Sequence, residues 1–400
     1  MILFLLPNTH INTYTHITYD TTTNNTSSSI TPVISNSLSS YLCDIKHKIN
    51  IYEKEWDIYK KYTNPYEYIN TIVPNKSYSI AKYKPLSRSY FKLLELLLHF
   101  QLYPTIEQSS NIIPIKTFHL AEGPGGFIES IVNYRNCSDD EYTGMTILED
   151  ETDDNIPAWK KSDRFLKKHK NVFIENGEDN TGNLISLENF VFCKNKYKSS
   201  MDLITADGGF DFSVDYNNQE LNIIRLLFSQ IAYALCMQKK GGNFILKIFD
   251  CFMQQTIDLL YILSSFYENV YITKPQTSRY ANSEKYVVCK NFLFDNCDIF
   301  FPFLYNTFKK MMYSDLTQRF IKTTISCHFL NKLEEFNAIF GQQQIENIHN
   351  TILLITNKNI SSKIDNLLKT NIHKGIQWCN KHNVKHNIFL NNNTFLRTLN

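Results

Sequence analysis

Lys247 sits in the middle of the apolar run F-I-L-K-I-F, residues 244–249. A buried lysine without a partner is costly, so this one needs an acidic neighbour or a lowered pKa. Three other ionisable residues stand where such neighbours belong. Asp207 follows the apolar stretch M-D-L-I-T-A (201–206) and precedes two glycines. Lys92 falls beside the apolar stripe of S-R-S-Y-F-K-L-L-E-L-L-L (87–98), near a helix start, where a cation is unfavourable unless it has a task. Glu284 ends the loop K-P-Q-T-S-R-Y-A-N-S-E (274–284). Two lysines and two carboxylates at one rim compensate one another, and a lysine beside a second cation loses its proton more readily and can act as a base. The plainer alternative is a buried ion-pair network that only ties elements together. Glycine-flanked acids at strand ends favour chemistry.

A ligand cradle lies upstream. In K-T-F-H-L-A-E-G-P-G-G-F (116–127), a short apolar strand passes into a turn nearly free of Cβ atoms. Ile128, Ile131 and Val132 follow at helical spacing, and the start of such a helix offers unpaired N–H groups to a ligand. The turn is neither G-x-G-x-x-G nor a P-loop, so by itself it equally suits a simple βα bend.

The elements that must position these residues alternate. Strands are expected over 142–148, 172–174, 201–206, 244–249, 269–273 and 285–290, with helices at about 220–237 and 253–267 and a K-K-G-G-N turn at 239–243. Ser87 is placed to cap the helix that carries Lys92. Two final strands close in sequence indicate a doubly wound α/β sheet with an antiparallel last strand. In such sheets ligands bind beyond the carboxyl ends of the strands, where the glycine turn, Asp207 and Glu284 all arrive.

Composition narrows the rest. With 43% hydrophobic and 14% aromatic residues the 400-residue chain can fill a large core. The net charge of +2 neither demands nor excludes nucleic acid. Nine scattered cysteines without C-x-x-C fit reduced thiols inside a cell, and no apolar run reaches membrane-spanning length, so neither secretion nor a membrane is expected. Residues 1–40, rich in Ser, Thr and Asn, read as a flexible tail. Residues 41–300 form the α/β domain with a helical lead-in, and 301–400 a mostly helical region of unknown role. The helix around Lys160, Arg164, Lys167 and Lys168 is a basic face that can follow a phosphate backbone, though such faces are more often merely solvated. His373, Cys379, His382 and His386 lack a familiar zinc spacing, and no metal is expected.

The stretches S-R-S-Y-F-K-L (87–93), A-E-G-P-G-G-F (121–127), G-M-T (144–146), D-N-T-G-N (179–183), A-D-G-G-F (206–210), G-G-N-F-I-L-K-I-F-D (241–250) and K-P-Q-T-S-R-Y-A-N-S-E-K-Y-V-V-C-K (274–290) together resemble the FtsJ-like ribose 2′-O-methyltransferases, above all the eukaryotic and viral mRNA cap enzymes. The likeness covers roughly residues 80–294. It implies a seven-stranded Rossmann-like methyltransferase sheet and S-adenosylmethionine as cofactor. It implies a catalytic tetrad of Lys92, Asp207, Lys247 and Glu284, in which Lys247 takes the ribose 2′-hydroxyl proton. Ala121, Glu122, Gly123, Pro124, Gly125, Gly126 and Phe127, with Asn183 and Asp207, would hold the cofactor; Asn183 stands where many relatives carry Asp. Ser87, Arg88 and Asn282 would touch RNA. The expected partner is capped mRNA at its single-stranded 5′ end, together with capping or transcription proteins. A composition heavy in Asn, Ile, Lys and Tyr fits an AT-rich genome, viral or protist. The alternatives are an rRNA or tRNA methyltransferase, or a non-catalytic RNA-binding subunit of the same fold.

Overall fold

The computed structural model describes residues 1–9, 11–20, 31–103, 112–148, 158–209, 218–313, 318–357 and 361–389. Ten strands occur among them: β1 (Leu3–Leu5), β2 (Ile17–Asp20), β3 (Lys116–Leu120), β4 (Glu141–Met145), β5 (Val172–Ile174), β6 (Met201–Ala206), β7 (Gln238–Ile248), β8 (Tyr267–Thr273), β9 (Lys285–Phe292) and β10 (Arg319–Ile321). Eight form one sheet in the order β1-β8-β9-β7-β6-β3-β4-β5, while β2 pairs with β10. The run from β5 to β7 is parallel, and β9 lies antiparallel between β7 and β8. The expected α/β sheet with one inserted antiparallel strand is therefore present. The order reverses between β3 and β6, which puts the switch point beside the glycine turn.

The helices are α1 (Asn36–Ile51), α2 (Glu53–Thr63), α3 (Ser89–His99), α4 (Gly126–Arg135), α5 (Asp163–Lys168), α6 (Leu187–Tyr197), α7 (Gln219–Asn222), α8 (Ile224–Met237), α9 (Gln254–Phe266), α10 (Phe301–Tyr313), α11 (Cys327–Thr356) and α12 (Ser361–Lys381). Leu93, Leu96 and Leu97 of α3 and Phe127, Ile128 and Ile131 of α4 bury one sheet face against Leu203, Ile245 and Val288. Leu227 and Ile231 of α8, with Leu259 and Leu263 of α9, cover the other. Each helix presents apolar residues at three- and four-residue spacing, so its docked face follows from its sequence.

Four expectations need correction. Residues 1–40 are not uniformly a tail: β1 adds an eighth strand by pairing antiparallel with β8, and Phe4 packs edge-on against Phe336 and Phe340 of α11. Ser87 does not cap α3, which starts at Ser89 and has no side-chain cap. The K-K-G-G stretch is part of β7, but pairing with β6 jumps from Gln238 to Asn243, so these residues bulge out, with Gly241 at φ +78°. The helices beyond residue 300 are not a module apart, since Phe308, Phe329 and Leu333 share the core of α8 and α9. Residues 21–30, Phe210 and 390–400 lie outside the described residues. Among the described residues no helix is long and apolar enough to cross a membrane.

Candidate active site

Lys247 lies one residue before the end of β7, and Asp207 follows the last residue of the parallel neighbour β6. That juxtaposition brings Lys247 Nζ to 3.3 Å from Asp207 Oδ1 and 2.6 Å from the Asp207 carbonyl oxygen. On the other side, Lys247 faces Tyr286 directly across the antiparallel ladder. Burial keeps the Tyr286 phenol protonated, and its hydroxyl donates to Asp207 Oδ1 at 2.8 Å. Lys92 descends from α3 to Glu284, with Nζ 2.7 Å from Oε1 and 2.8 Å from Oε2. The four residues thus form two ion pairs on the carboxyl rim. Backbone bareness keeps the space around Lys247 clear, because a Cβ on Gly209 would stand 3.2 Å from its Nζ.

Burial on its own would raise the Glu284 carboxyl, but the ammonium groups of Lys92, Lys247 and Lys274 outweigh it and hold Glu284 well below the carboxylate range. Lys274 was not singled out from sequence. It is buried and donates to the carbonyl oxygens of Asn282 (2.6 Å) and Glu284 (2.7 Å). Burial, with Lys285 and Lys92 nearby, pushes it down to about 7 against the pull of Glu284 and Asp250. Behind it Asp250 pairs with both Lys285 (2.9 Å) and Lys46 (3.1 Å). Lys274, Lys285 and Asp250 stand within the quoted motifs, and a cross-strand register would have exposed Tyr286. Lys46 had only a faint signal, a lysine on the Leu42–Ile45–Ile49 stripe of α1.

The glycine turn reaches the same rim. Gly125 adopts φ +104°, open to glycine at little cost, and leads into α4. Glu122 is buried and turns inward: its Oε1 accepts from the amides of Phe127 (2.7 Å) and Ile128 (3.0 Å), the unpaired start of the helix. Burial pushes it up to about 8 despite those amides. Phe127 is a core residue beneath Tyr286, with ring centroids 6.1 Å apart. A Cβ on Gly123 would sit 3.1 Å from Thr146 Oγ1, and one on Gly182 would collide with the Thr146 carbonyl, so the turn, the end of β4 and the D-N-T-G-N loop converge.

A profile of FtsJ-like methyltransferases matches residues 85–292, which hold all four residues of the two ion pairs. The chain belongs to the FtsJ-like methyltransferase family. It is similar to the cap-specific mRNA (nucleoside-2′-O-)-methyltransferase 2 of Drosophila melanogaster, 30% identical over 64% of this chain and 36% of that one. It is also similar to the cap-specific mRNA (nucleoside-2′-O-)-methyltransferase 1 of Trypanosoma brucei brucei, 40% identical over 29% of this chain and 32% of the other. The chain spans about a third of the length of these curated relatives. A solved structure of a provisionally named ribosomal RNA methyltransferase from Plasmodium falciparum shares 22% identity over 52% of this chain and 98% of its own, with a TM-score of 0.35.

FtsJ-like enzymes draw their methyl group from S-adenosylmethionine. The rim fits that group. Ala121, Gly125 and Gly126 bring main chain to the switch point, and Gly208 packs so closely that its Cβ would lie 3.1 Å from Ala121 Cβ. Asn183 Oδ1 accepts from the Ile185 amide at 2.9 Å, which leaves its NH2 group for a ligand.

The residues expected at RNA are placed unequally. Asn282 is exposed on the rim. Ser87 Oγ is hydrogen-bonded to Ser89 Oγ. Arg88 is largely committed elsewhere, with Nη1 3.3 Å from Glu67 and Nη2 donating to the Thr277 carbonyl at 3.1 Å. Arg164, Lys167 and Lys168 are exposed on α5, near the glycine turn through Ser162, which donates to the Pro124 carbonyl. In the His/Cys group, Cys379 is fully buried, and His382 stacks on Trp378 and bonds its carbonyl oxygen.

Proposed function

We propose that this chain methylates the ribose 2′-hydroxyl of a cap-proximal nucleotide of mRNA. The observation that carries the reading is the double ion pair, Lys247 with Asp207 and Lys92 with Glu284, assembled beside a glycine turn at the switch point. Both relatives described above carry cap-specific names, which supports capped mRNA as the substrate.

Ala121, Gly125, Gly126, Asn183 and Asp207 hold the methyl donor, which supplies a methyl group activated by a sulfonium. Lys247 Nζ, once it has given up its own proton to solvent, takes the 2′-hydroxyl proton as a neutral amine and returns to the ammonium form that Asp207 pairs; Asp207 and Tyr286 fix its position. Glu284 takes up the charge of Lys92, so the second cation stays close without repelling Lys247 out of the site. Catalysis of this kind is positioning plus proton management. Asn282 contacts RNA at the rim, and Ser87 and Arg88 shape its edge.

The test is methyl transfer to matched capped and uncapped RNAs, with the cap dinucleotides resolved by mass spectrometry. Methylation of a cap-proximal ribose, dependent on the cap, is expected. Equal transfer to uncapped RNA, or methylation of a base, would overturn the reading.

A further inference from the structure

Glu284 ends an irregular loop, and a loop left to itself does not hold a carboxylate in register with a lysine on another element. The loop of residues 274–284 is pinned along its length. Glu95 of α3 accepts from the amides of Gln276 (2.8 Å) and Thr277 (3.2 Å), and Trp378 Nε1 of α12 backs it at 3.3 Å. Glu67 takes Arg279 through two bonds of 2.9 and 2.7 Å. Nearest the catalytic end, Gln344 of α11 donates to the Ala281 carbonyl at 2.9 Å and to Ser283 Oγ at 3.2 Å. Lys46 of α1 donates to Ser283 Oγ at 2.9 Å, and Ser283 in turn donates to Asp250 at 2.9 Å. Lys46, Glu67, Gln344 and Trp378 all lie outside residues 85–292.

We infer that Lys46 and Gln344 are positioning residues for the catalytic loop, so the segments flanking the methyltransferase domain complete its active site. The inference rests on the role proposed for Glu284. Both residues grip Ser283, the immediate neighbour of Glu284, from opposite sides of the chain's ends. They are held there by one apolar cluster, in which Leu42, Ile45 and Ile49 of α1 meet Ile345 and Ile348 of α11. A site whose supporting residues are locked by packing keeps its working geometry, and a slack support loses it.

The test uses the full chain with Lys46→Met and Gln344→Leu. In the first, Asp250 keeps Lys285 and is not left as a lone buried charge; the second removes only a neutral donor. Hydrogen exchange read by mass spectrometry should be about tenfold faster in peptides covering 279–284, since local opening follows lost hydrogen bonds. On capped RNA, kcat should fall between about 10- and 100-fold, the scale of a slightly misplaced catalytic group, while donor affinity stays within about twofold. A purely structural role would lower thermal stability and leave kcat at low temperature unchanged. That result, or unchanged exchange in 279–284 in folded variants, overturns the inference. A wild-type chain that methylates no RNA would overturn the proposed function instead, and the exchange data would then decide the clamp alone.

Discussion

Glu122 and Glu284 stand at the same rim of one sheet, both largely withdrawn from water, and their surroundings drive them in opposite directions. Glu122 accepts from backbone amides with the carboxylates of Asp207 and Glu129 nearby, and burial, helped by those charges, pushes it up to about 8. Glu284 meets three lysines and is held well below the carboxylate range against the same burial. The glycine-turn side of the rim thus holds a buried carboxyl bound by main chain, while the other side holds paired charges.

The comparison breaks first at Lys247. Lys247→Ala and Lys247→Arg should each cut turnover by about 10³-fold while donor affinity by calorimetry is kept, because guanidinium retains its proton and cannot serve as a base. Near wild-type turnover in Lys247→Arg would demote Lys247 to an electrostatic cation. Glu284→Gln should lower kcat by about 10²-fold, since Lys92 and Lys274 lose their counter-charge. Because Glu284 is depressed when folded, its contribution to stability is present above its unfolded pKa of about 4.3 and is lost as pH falls below it. Thermal midpoints from pH 7 to pH 3 should then fall less steeply in Glu284→Gln than in wild type; an equal slope would mean the carboxylate is not held down.

On the glycine side the effects are smaller and concern stability. A Cβ at Gly125 would point toward Leu86 and Trp159 at 3.4 and 3.5 Å, ordinary contacts, so the cost of Gly125→Ala is backbone strain at φ +104°. It should destabilise the chain by about 1–2 kcal/mol in denaturant titration, and an unchanged midpoint would show that the turn relaxes. Glu122→Gln should have the mildest effect. A raised carboxyl stabilises fully below about 4.3 and loses that contribution as pH rises through about 8, so the variant should gain on wild type between pH 5 and 9. Thermal midpoints that diverge the other way would show an ionised Glu122 serving the start of α4.

Sheet and tetrad were legible because each rests on a local signature: apolar runs ending in glycine, and a lysine too deep in a strand to be idle. Asp207 proved to be the partner that Lys247 needed. What escaped has no local signature. Leu3–Leu5 lies in a short apolar run, M-I-L-F-L-L, joined to a Thr- and Asn-rich stretch, and nothing local shows that its partner is the distant β8. The pairing of Arg88 with Glu67, 21 residues earlier, likewise has no local signature. Lys46 looks like one more solvated lysine until Asp250 and Ser283, more than 200 positions away, come to face it.

The strand that closes the sheet also sets an order of assembly on the ribosome. Thr273 Oγ1 donates to the Ile2 carbonyl across 271 positions, so β1 emerges long before the edge it completes. At about 5–20 residues per second, that is a wait of roughly 15 to 50 seconds with an apolar strand unpaired. Phe4 waits longer still, for α11. The first strand of this chain thus cannot pair until β8 has emerged, and pulse-labelled amide exchange on stalled nascent chains should show β1 unprotected in those that end before Thr273.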